Sequence, residues 1–142
     1  MSPQDELARR SASTMWANDL ASQALGMEIL EIGPGHAKMS MIIREDMLNG
    51  HKTAHGGYIY TLADSAFAFA CNSHNDRAVA AHCSIAYIKP GKAGEPLIAT
   101  AREISRSGRS GIYDVEVTQG GEIIAQFRGH SRLIGGTVCS TS

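Results

Sequence analysis

The stretch from Tyr58 to about Ser73 constrains the fold more than any other part of the chain. It contains neither proline nor glycine and is rich in alanine, which predicts a helix. Its apolar residues fall on nearly every side, and a helix that is apolar on most sides must be buried on most sides. The exception is a narrow stripe along one face, made of Thr61, Asp64, Ser65, Ala68 and Asn72. The remaining chain must therefore wrap around this helix.

Strand-like segments separated by turn signals predict the sheet that covers the helix. There are six of them: Met27–Ile32, Ala37–Ile43, Ala78–Ile88, Pro96–Ser105, Gly111–Thr118 and Glu122–Ile134. Most of the breaks between them are short enough for hairpins, which favours antiparallel order. The sequence therefore predicts an α+β fold in which a curved antiparallel sheet wraps one long central helix.

The chain length and composition fit one globular domain. With 142 residues, a single domain over residues 1–142 is expected, with an N-terminal helix within residues 1–25 and a flexible tail at 136–142. The net charge of -1 leaves no broad basic surface for nucleic acid or an anionic membrane. No apolar run approaches the roughly 18 residues that a membrane span needs. Three widely spaced cysteines fit a reducing compartment, so we expect a cytoplasmic protein.

The tripeptide His55-Gly56-Gly57 lies where the predicted helix begins. The first turn of a helix has backbone N–H groups without partners and a partial positive charge. Glycines at this point leave the backbone open to a ligand oxygen, which is how main chain alone forms an oxyanion hole. The same tripeptide also fits a plain glycine turn that ends a loop, so both interpretations stay open.

Asp64 is an acidic residue on an otherwise apolar helix. A carboxylate that is half-buried among apolar groups has a raised pKa and is a candidate for chemistry. It would equally fit the wet edge of the polar stripe. Seven residues of helix span about 10 Å, so Gly57 and Asp64 of one helix cannot both touch one carbonyl carbon. If they serve one reaction, they must come from two copies of the chain.

Three further segments carry polar groups that suit a ligand. Asn49 could orient a water molecule or bond a substrate carbonyl, although Asn-Gly is also a common turn. Lys89, and the turn containing Gly108, Arg109 and Ser110, place cations and backbone N–H groups at strand ends. These groups would suit a phosphorylated ligand or simply be solvated.

The six histidines form no recognised metal-binding pattern. His51 and His55 are four residues apart, but they lack the HExxH sequence and a predicted helix beneath them. Cys71 and Cys83 have no histidine partner evident in the sequence, so both are interpreted as core residues. We expect neither a metal ion nor another cofactor.

Several motifs in this order resemble one known family, the hotdog-fold acyl-CoA thioesterases of the phenylacetic acid degradation (PaaI) type. The motifs are Leu48-Asn49-Gly50, His55-Gly56-Gly57, Leu62-Ala63-Asp64, Ala68-Phe69-Ala70-Cys71-Asn72-Ser73, Lys89-Pro90-Gly91, Phe127-Arg128-Gly129 and Arg132-Leu133-Ile134-Gly135-Gly136. The match runs from about residue 15 to residue 136. The resemblance implies hydrolysis of an aromatic acyl-CoA, such as phenylacetyl-CoA or a ring-hydroxylated relative, to the free acid and CoA.

The resemblance also implies roles for individual residues. The Gly57 N–H would polarise the thioester carbonyl, with Asn49 and His55 as supporting polar residues. Asp64 of the neighbouring subunit would attack the thioester or activate water. Ala80 falls at a position that some relatives fill with a serine.

The remaining implied contacts concern the CoA arm and the assembly. Gly56 is expected beside the thioester, and Lys89, Gly108, Arg109 and Ser110 beside pantetheine and phosphates. The family implies a homodimer with shared sites, assembled further into a homotetramer.

Two alternative functions remain open on the same fold. An enoyl-CoA hydratase or dehydratase would use a histidine and a carboxylate as acid and base, and His55 is available for that role. A non-catalytic acyl-CoA-binding module is the second alternative, although pure binding does not require an acid at the position of Asp64.

Overall fold

The computed structural model describes residues 1–140, in which one long helix lies across a six-stranded sheet and contacts every strand. The helices are α1 (Pro3–Asn18), α2 (Leu20–Ala24) and α3 (Gly56–Cys71), with a short 3-10 turn at Glu45–Met47. The strands are β1 (Glu28–Gly33), β2 (His36–Ile42), β3 (Asp76–Tyr87), β4 (Pro96–Ser107), β5 (Ser110–Gln119) and β6 (Glu122–Thr137). The predicted α+β architecture, an antiparallel sheet packed on one long central helix, is confirmed.

The sheet is antiparallel throughout, in the order β1-β2-β4-β5-β6-β3. Its concave face is lined with buried residues that pack on α3, and small residues let the helix approach closely. Ala99 and Ala101 of β4 are fully buried. At Gly129 of β6, an added Cβ would lie 2.6 Å from the ring of Phe67 on α3, so only glycine fits there.

The long helix begins two residues earlier than the apolar pattern predicts. His55 is its N-cap, and the His55 side chain accepts a hydrogen bond from the Gly57 backbone N–H. The predicted polar stripe is also less exposed than expected, because the junction between α1 and α2 covers part of it. Ser65 on the stripe hydrogen-bonds to Ser22 of α2, with 2.8 Å between the hydroxyl oxygens.

Both ends of the chain differ from the expectation. The single N-terminal helix expected within residues 1–25 is two helices, because Asp19 ends α1 and caps α2. At the other end, β6 continues through Thr137, so residues 136–137 are strand rather than tail. Asn75 then accepts hydrogen bonds from the N–H groups of Val138 and Cys139. Residues 141–142 of the expected tail lie outside the described part of the chain.

The two edge strands of the sheet, β1 and β3, differ in what covers them. The β1 edge is contacted by α1, whereas the far edge of β3 has no strand beside it among residues 1–140. β3 is twelve residues long and mostly exposed. A long exposed edge of this kind is ready to pair with another strand. None of the helices in residues 1–140 is both long and apolar enough to cross a membrane.

Candidate active site

A cavity of about 400 Å³ opens at the start of α3 and brings together three of the residues singled out in the sequence. Asn49, Gly56 and Lys89 all line it. The other lining residues are Thr53, Ala54, Ile59, Tyr87, Ile88 and Pro90. The loop before α3 and the end of β3 therefore meet at one surface, which we call the helix-start cavity.

The backbone donors at the start of α3 are not all free. The Gly57 N–H donates to Nδ1 of His55 at 2.9 Å, so the expected oxyanion donor is capped by a side chain two residues earlier. The Gly56 N–H donates to no acceptor within residues 1–140. A carbonyl oxygen that arrives here must replace His55 at Gly57 or share that N–H with it.

Tyr87 is a site residue that the sequence analysis missed. Its hydroxyl donates to the Gly56 carbonyl oxygen at 2.8 Å. A Cβ on Gly56 would lie 3.0 Å from Cζ of Tyr87, so any larger residue here would require the ring to move by a few tenths of an ångström. The sequence did offer one signal for Tyr87, since it lies near the end of a predicted strand and two residues before Lys89.

Asn49 organises the loop that precedes the helix. Its side-chain oxygen accepts hydrogen bonds from the N–H groups of His51 and Thr53, at 2.9 and 3.2 Å, and from the Thr53 hydroxyl. Its Nδ2 donates to no acceptor within residues 1–140 and is therefore available to a ligand. Both interpretations of Asn49, as a turn residue and as a ligand-binding residue, are consistent with this geometry. Its Oδ1 stabilises the turn, and its Nδ2 remains available to a ligand.

Asp64 lies two turns further along α3, half-buried and without a hydrogen-bond donor among residues 1–140. Burial raises the pKa of Asp64, and the nearby carboxylate of Asp19 raises it further. Tyr60 and Cys83 are close neighbours, and burial is the main reason that the pKa of Tyr60 is raised to about 12. Apart from the Asp19 carboxylate, these ionisable neighbours of Asp64 are therefore uncharged at neutral pH.

The turn with Gly108, Arg109 and Ser110 lies away from the helix-start cavity. These residues line a smaller cavity of about 130 Å³ that also includes Cys71, the last residue of α3. The 16-residue helix is about 24 Å long, so this turn and Gly57 lie near opposite ends of α3. Within a single chain, the residues expected to contact CoA therefore lie in two separate places. Lys89 lines the helix-start cavity, where its Nζ is 3.2 Å from a carboxylate oxygen of Glu122.

Ala80, the position expected to replace a serine of some relatives, lies on the exposed edge strand β3. It pairs with Ser131 of β6, and an irregularity in the strand register follows it before His82. The alanine side chain offers no hydroxyl to a water molecule. Among residues 1–140, no three His, Cys, Asp or Glu side chains are arranged to hold a metal ion.

Comparison with known proteins places this geometry in a family. The model of the Thioesterase superfamily matches residues 51–125, which include Asp64 and every lining residue of the helix-start cavity except Asn49. The acyl-coenzyme A thioesterase PaaI of Escherichia coli (strain K12) is 44% identical over 132 residues, which cover 92% of this chain and 94% of that protein.

Two solved structures extend the similarity to three dimensions. The structure of the E. coli PaaI protein from the phenylacetic acid degradation operon matches with a TM-score of 0.92 and 42% identity, covering 94% of this chain and 97% of that one. A mutant of the phenylacetic acid degradation protein PaaI from Thermus thermophilus matches with a TM-score of 0.79 and 41% identity, covering 82% of this chain and 100% of that one. The chain therefore belongs to the thioesterase superfamily, as a hotdog-fold thioester hydrolase of the PaaI type.

Proposed function

We propose that this enzyme hydrolyses aromatic acyl-CoA thioesters, such as phenylacetyl-CoA or a ring-hydroxylated relative, to the free acid and CoA. The observation that carries the proposal is that one helix has spare hydrogen-bond donors at its start and a half-buried carboxylate at Asp64, which has no hydrogen-bond donor among residues 1–140. Donors of this kind stabilise the charge that develops on a thioester oxygen. The choice of an aromatic acyl group is supported by the similarity to PaaI of the phenylacetic acid degradation operon.

The donors and the carboxylate are about 10 Å apart along one helix, which supports a site shared by two chains. α3 ends close to the start of β3, and Gly56 at its beginning contacts Tyr87 at the end of β3. The helix and the edge strand therefore run in opposite directions. If two β3 edges pair about a two-fold axis, they are antiparallel, and the start of one α3 lies beside the end of the other.

This arrangement also accounts for the separated CoA contacts. In such a dimer, the turn with Gly108, Arg109 and Ser110 of one chain approaches the helix-start cavity of its partner, where Lys89 lies. The adenosine and phosphate end of CoA would then contact both chains. A homotetramer made of two such dimers remains part of the proposal.

The reaction has two routes that use the same residues. In the first, the Asp64 carboxylate adds to the thioester carbon, the C–S bond breaks, and water hydrolyses the resulting anhydride. In the second, Asp64 takes a proton from water, whose oxygen adds to the same carbon. In the second route the oxygen of water ends in the acid, whereas in the first it ends in the acid or in the Asp64 carboxylate, whose own oxygen then leaves with the acid. In both routes a proton ends on the CoA sulfur. Gly57, Gly56 and Asn49 donate to the carbonyl oxygen while the charge is present, and His55 gives up or shares the Gly57 N–H.

No metal ion or other cofactor is part of either route. Reaction in the cytoplasm is supported by the three cysteines, none of which forms a disulfide. The pairing of β3 edges, the cofactor-free route and the cytoplasmic location are independent parts of the proposal.

A substrate panel tests the function. Purified protein is mixed with phenylacetyl-CoA, 4-hydroxyphenylacetyl-CoA, butyryl-CoA and an enoyl-CoA, while free thiol and enoyl absorbance are followed together. We expect thiol release, with kcat/KM for the two aromatic substrates at least about tenfold above butyryl-CoA, which corresponds to about 1.4 kcal/mol of discrimination. A change in enoyl absorbance without thiol would establish hydration instead. Binding of CoA esters without either signal would establish a non-catalytic module.

A further inference from the structure

The junction between α1 and α2 contacts α3 next to Asp64. Asp19 at this junction accepts two hydrogen bonds from Ser22, one from its N–H at 3.0 Å and one from its hydroxyl at 2.6 Å. Ser22 is only 1% exposed, so its side chain is fixed by the protein and not by solvent. The Ser22 and Ser65 hydroxyl oxygens are 2.8 Å apart.

The number of hydroxyl protons determines which oxygen donates and which accepts in these hydrogen bonds. A serine hydroxyl has one proton, and that of Ser22 is donated to the carboxylate of Asp19 in the shorter contact. The hydroxyl of Ser65 must therefore donate to the oxygen of Ser22. Ser65 directly follows Asp64 on α3, so a continuous chain of hydrogen bonds joins Asp19 to the helix turn that carries Asp64.

Asp19 also supplies the charge that Asp64 experiences. The other ionisable groups close to Asp64 within residues 1–140 are Tyr60 on the same helix, Cys71 at its end and Cys83 on β3. Burial raises the pKa of Tyr60 and of Cys71 to about 12, and it raises the pKa of Cys83 as well. All three are neutral at and below neutral pH, which leaves the carboxylate of Asp19.

We propose that Asp19 is a positioning residue for Asp64, connected to it through the Ser22 and Ser65 hydroxyls. This inference rests on the proposed function, in which the carboxylate of Asp64 carries the reaction. Asp19 does not touch the substrate. It fixes the turn of α3 that carries Asp64, and its negative charge makes the Asp64 carboxylate more basic.

The consequence for catalysis is a specific pH dependence. A more basic carboxylate is a better base or nucleophile, but it ionises only at a higher pH. If the charge of Asp19 is removed, Asp64 ionises more easily. The rise of kcat with pH, which follows ionisation of Asp64, then moves to lower pH, and kcat at neutral pH falls.

The test compares kcat for phenylacetyl-CoA from acidic to neutral pH in four variants. Asp19→Asn removes the charge but keeps an oxygen that caps α2, since asparagine is an equally good N-cap. Ser65→Ala breaks the hydrogen-bond chain and keeps both carboxylates, whereas Ser65→Thr keeps a hydroxyl. Glu6→Gln is the matched control, because it removes an exposed charge from the same N-terminal segment, about 20 Å from Asp19 along α1. Thermal melting shows that each variant is folded.

We expect the rise of kcat with pH to shift to lower pH in Asp19→Asn. In Glu6→Gln, the dependence of kcat on pH should match that of the unmodified enzyme. Ser65→Ala is expected to lower kcat several-fold with no shift, and Ser65→Thr to restore it. The inference is overturned if Asp19→Asn shows no shift, if Glu6→Gln shifts equally, or if Ser65→Ala leaves kcat unchanged. Activity that survives Asp64→Asn would instead overturn the proposed role of Asp64 itself, so the two failures are distinguishable.

Discussion

The carboxylate of Asp64 is half-buried beside the phenol of Tyr60, and it has no hydrogen-bond donor among residues 1–140. Its raised pKa has a consequence for stability as well as for chemistry. The folded protein holds the proton of Asp64 more tightly than the unfolded chain does. The free energy of unfolding therefore decreases as pH rises through the folded-state pKa, and the ionised form destabilises the fold at neutral pH.

Replacing Asp64 by asparagine separates catalysis from stability. We expect Asp64→Asn to lower kcat by about 10²–10⁴-fold, with little change in KM, because the role proposed for the carboxylate belongs to the transition state. The melting temperature at neutral pH should stay the same or rise, because a half-buried charge is removed. Thiol release and thermal melting measure the two effects.

Asp46→Asn is the control for that experiment, since Asp46 is exposed and pairs only with Arg44 among residues 1–140. Its activity should match the unmodified enzyme. A large fall in melting temperature for Asp64→Asn would show that the residue is structural, and an activity loss below about tenfold would contradict its catalytic role.

At this scale, the sequence predicted which residues are candidates for chemistry better than it predicted what they do. Asp64 stood out because an acid on an apolar helix is unusual, and its raised pKa agrees with that expectation. The hydrogen bond from Gly57 to His55 was not predictable, because it depends on the rotamer of a side chain before the helix. Asp19 was missed because its effect on α3 is a tertiary contact between distant segments.

At the scale of the elements, Asn72 joins the end of the long helix to the start of the edge strand. Its Nδ2 donates to the carbonyl oxygens of Ala68 and Ala78, and its Oδ1 accepts from the Ala78 N–H at 2.9 Å. Asn72 is 6% exposed, so these groups cannot be replaced by bulk water without rearrangement. Asn72 was assigned to the polar stripe, but its role is to set where β3 begins relative to α3.

Removing this amide should therefore destabilise the whole domain. We expect Asn72→Ala to reduce the free energy of unfolding by about 2–3 kcal/mol, because the partly buried backbone groups of Ala78 lose their partners. Urea denaturation measures the change, with an unaltered m-value if the native state is otherwise intact.

Asn18→Ala provides the comparison, since within residues 1–140 the exposed Asn18 side chain donates a single hydrogen bond, to the Thr14 carbonyl. It should change stability by less than about 0.5 kcal/mol. Equal decreases in the free energy of unfolding for the two variants would show that the hydrogen bonds of Asn72 between α3 and β3 do not stabilise the domain.

The elements themselves were largely predictable, because periodicity and turn residues are local signals. The helix Gly56–Cys71 and the six strands follow from them to within a few residues. The break at Asp19 was not predicted, since a helix-forming sequence continues across it and only side-chain capping by Asp19 divides it. The strand order was also beyond local patterns, since β3 follows α3 in sequence but lies at the edge beside β6.

At the scale of the whole molecule, the proposed function divides the site of one chain into two halves. The donors of the helix-start cavity and the carboxylate of Asp64 are too far apart to act on one thioester, and the exposed β3 edge offers the means to bring in a second chain. In the proposed dimer, pairing of two β3 edges brings the donors of each chain towards the carboxylate of its partner. The proposed reaction therefore depends on a centre that neither chain completes alone.

Complementation between two inactive variants tests this claim directly. Asp64→Asn removes the carboxylate, and Gly57→Pro removes the backbone N–H at a helix position that tolerates proline. The two variants are co-expressed with different affinity tags, and co-purification shows that mixed dimers form. Two Asp64 variants, Asp64→Asn and Asp64→Ala, are co-expressed in parallel as a control that cannot rebuild a site.

Each variant alone should be inactive. Random mixing makes half of the dimers mixed, and each mixed dimer regains one intact site of two, so thiol release should recover to about one quarter of the unmodified enzyme. The control pair should recover nothing. Mixed dimers that form but stay as inactive as their parents would contradict the shared reaction centre.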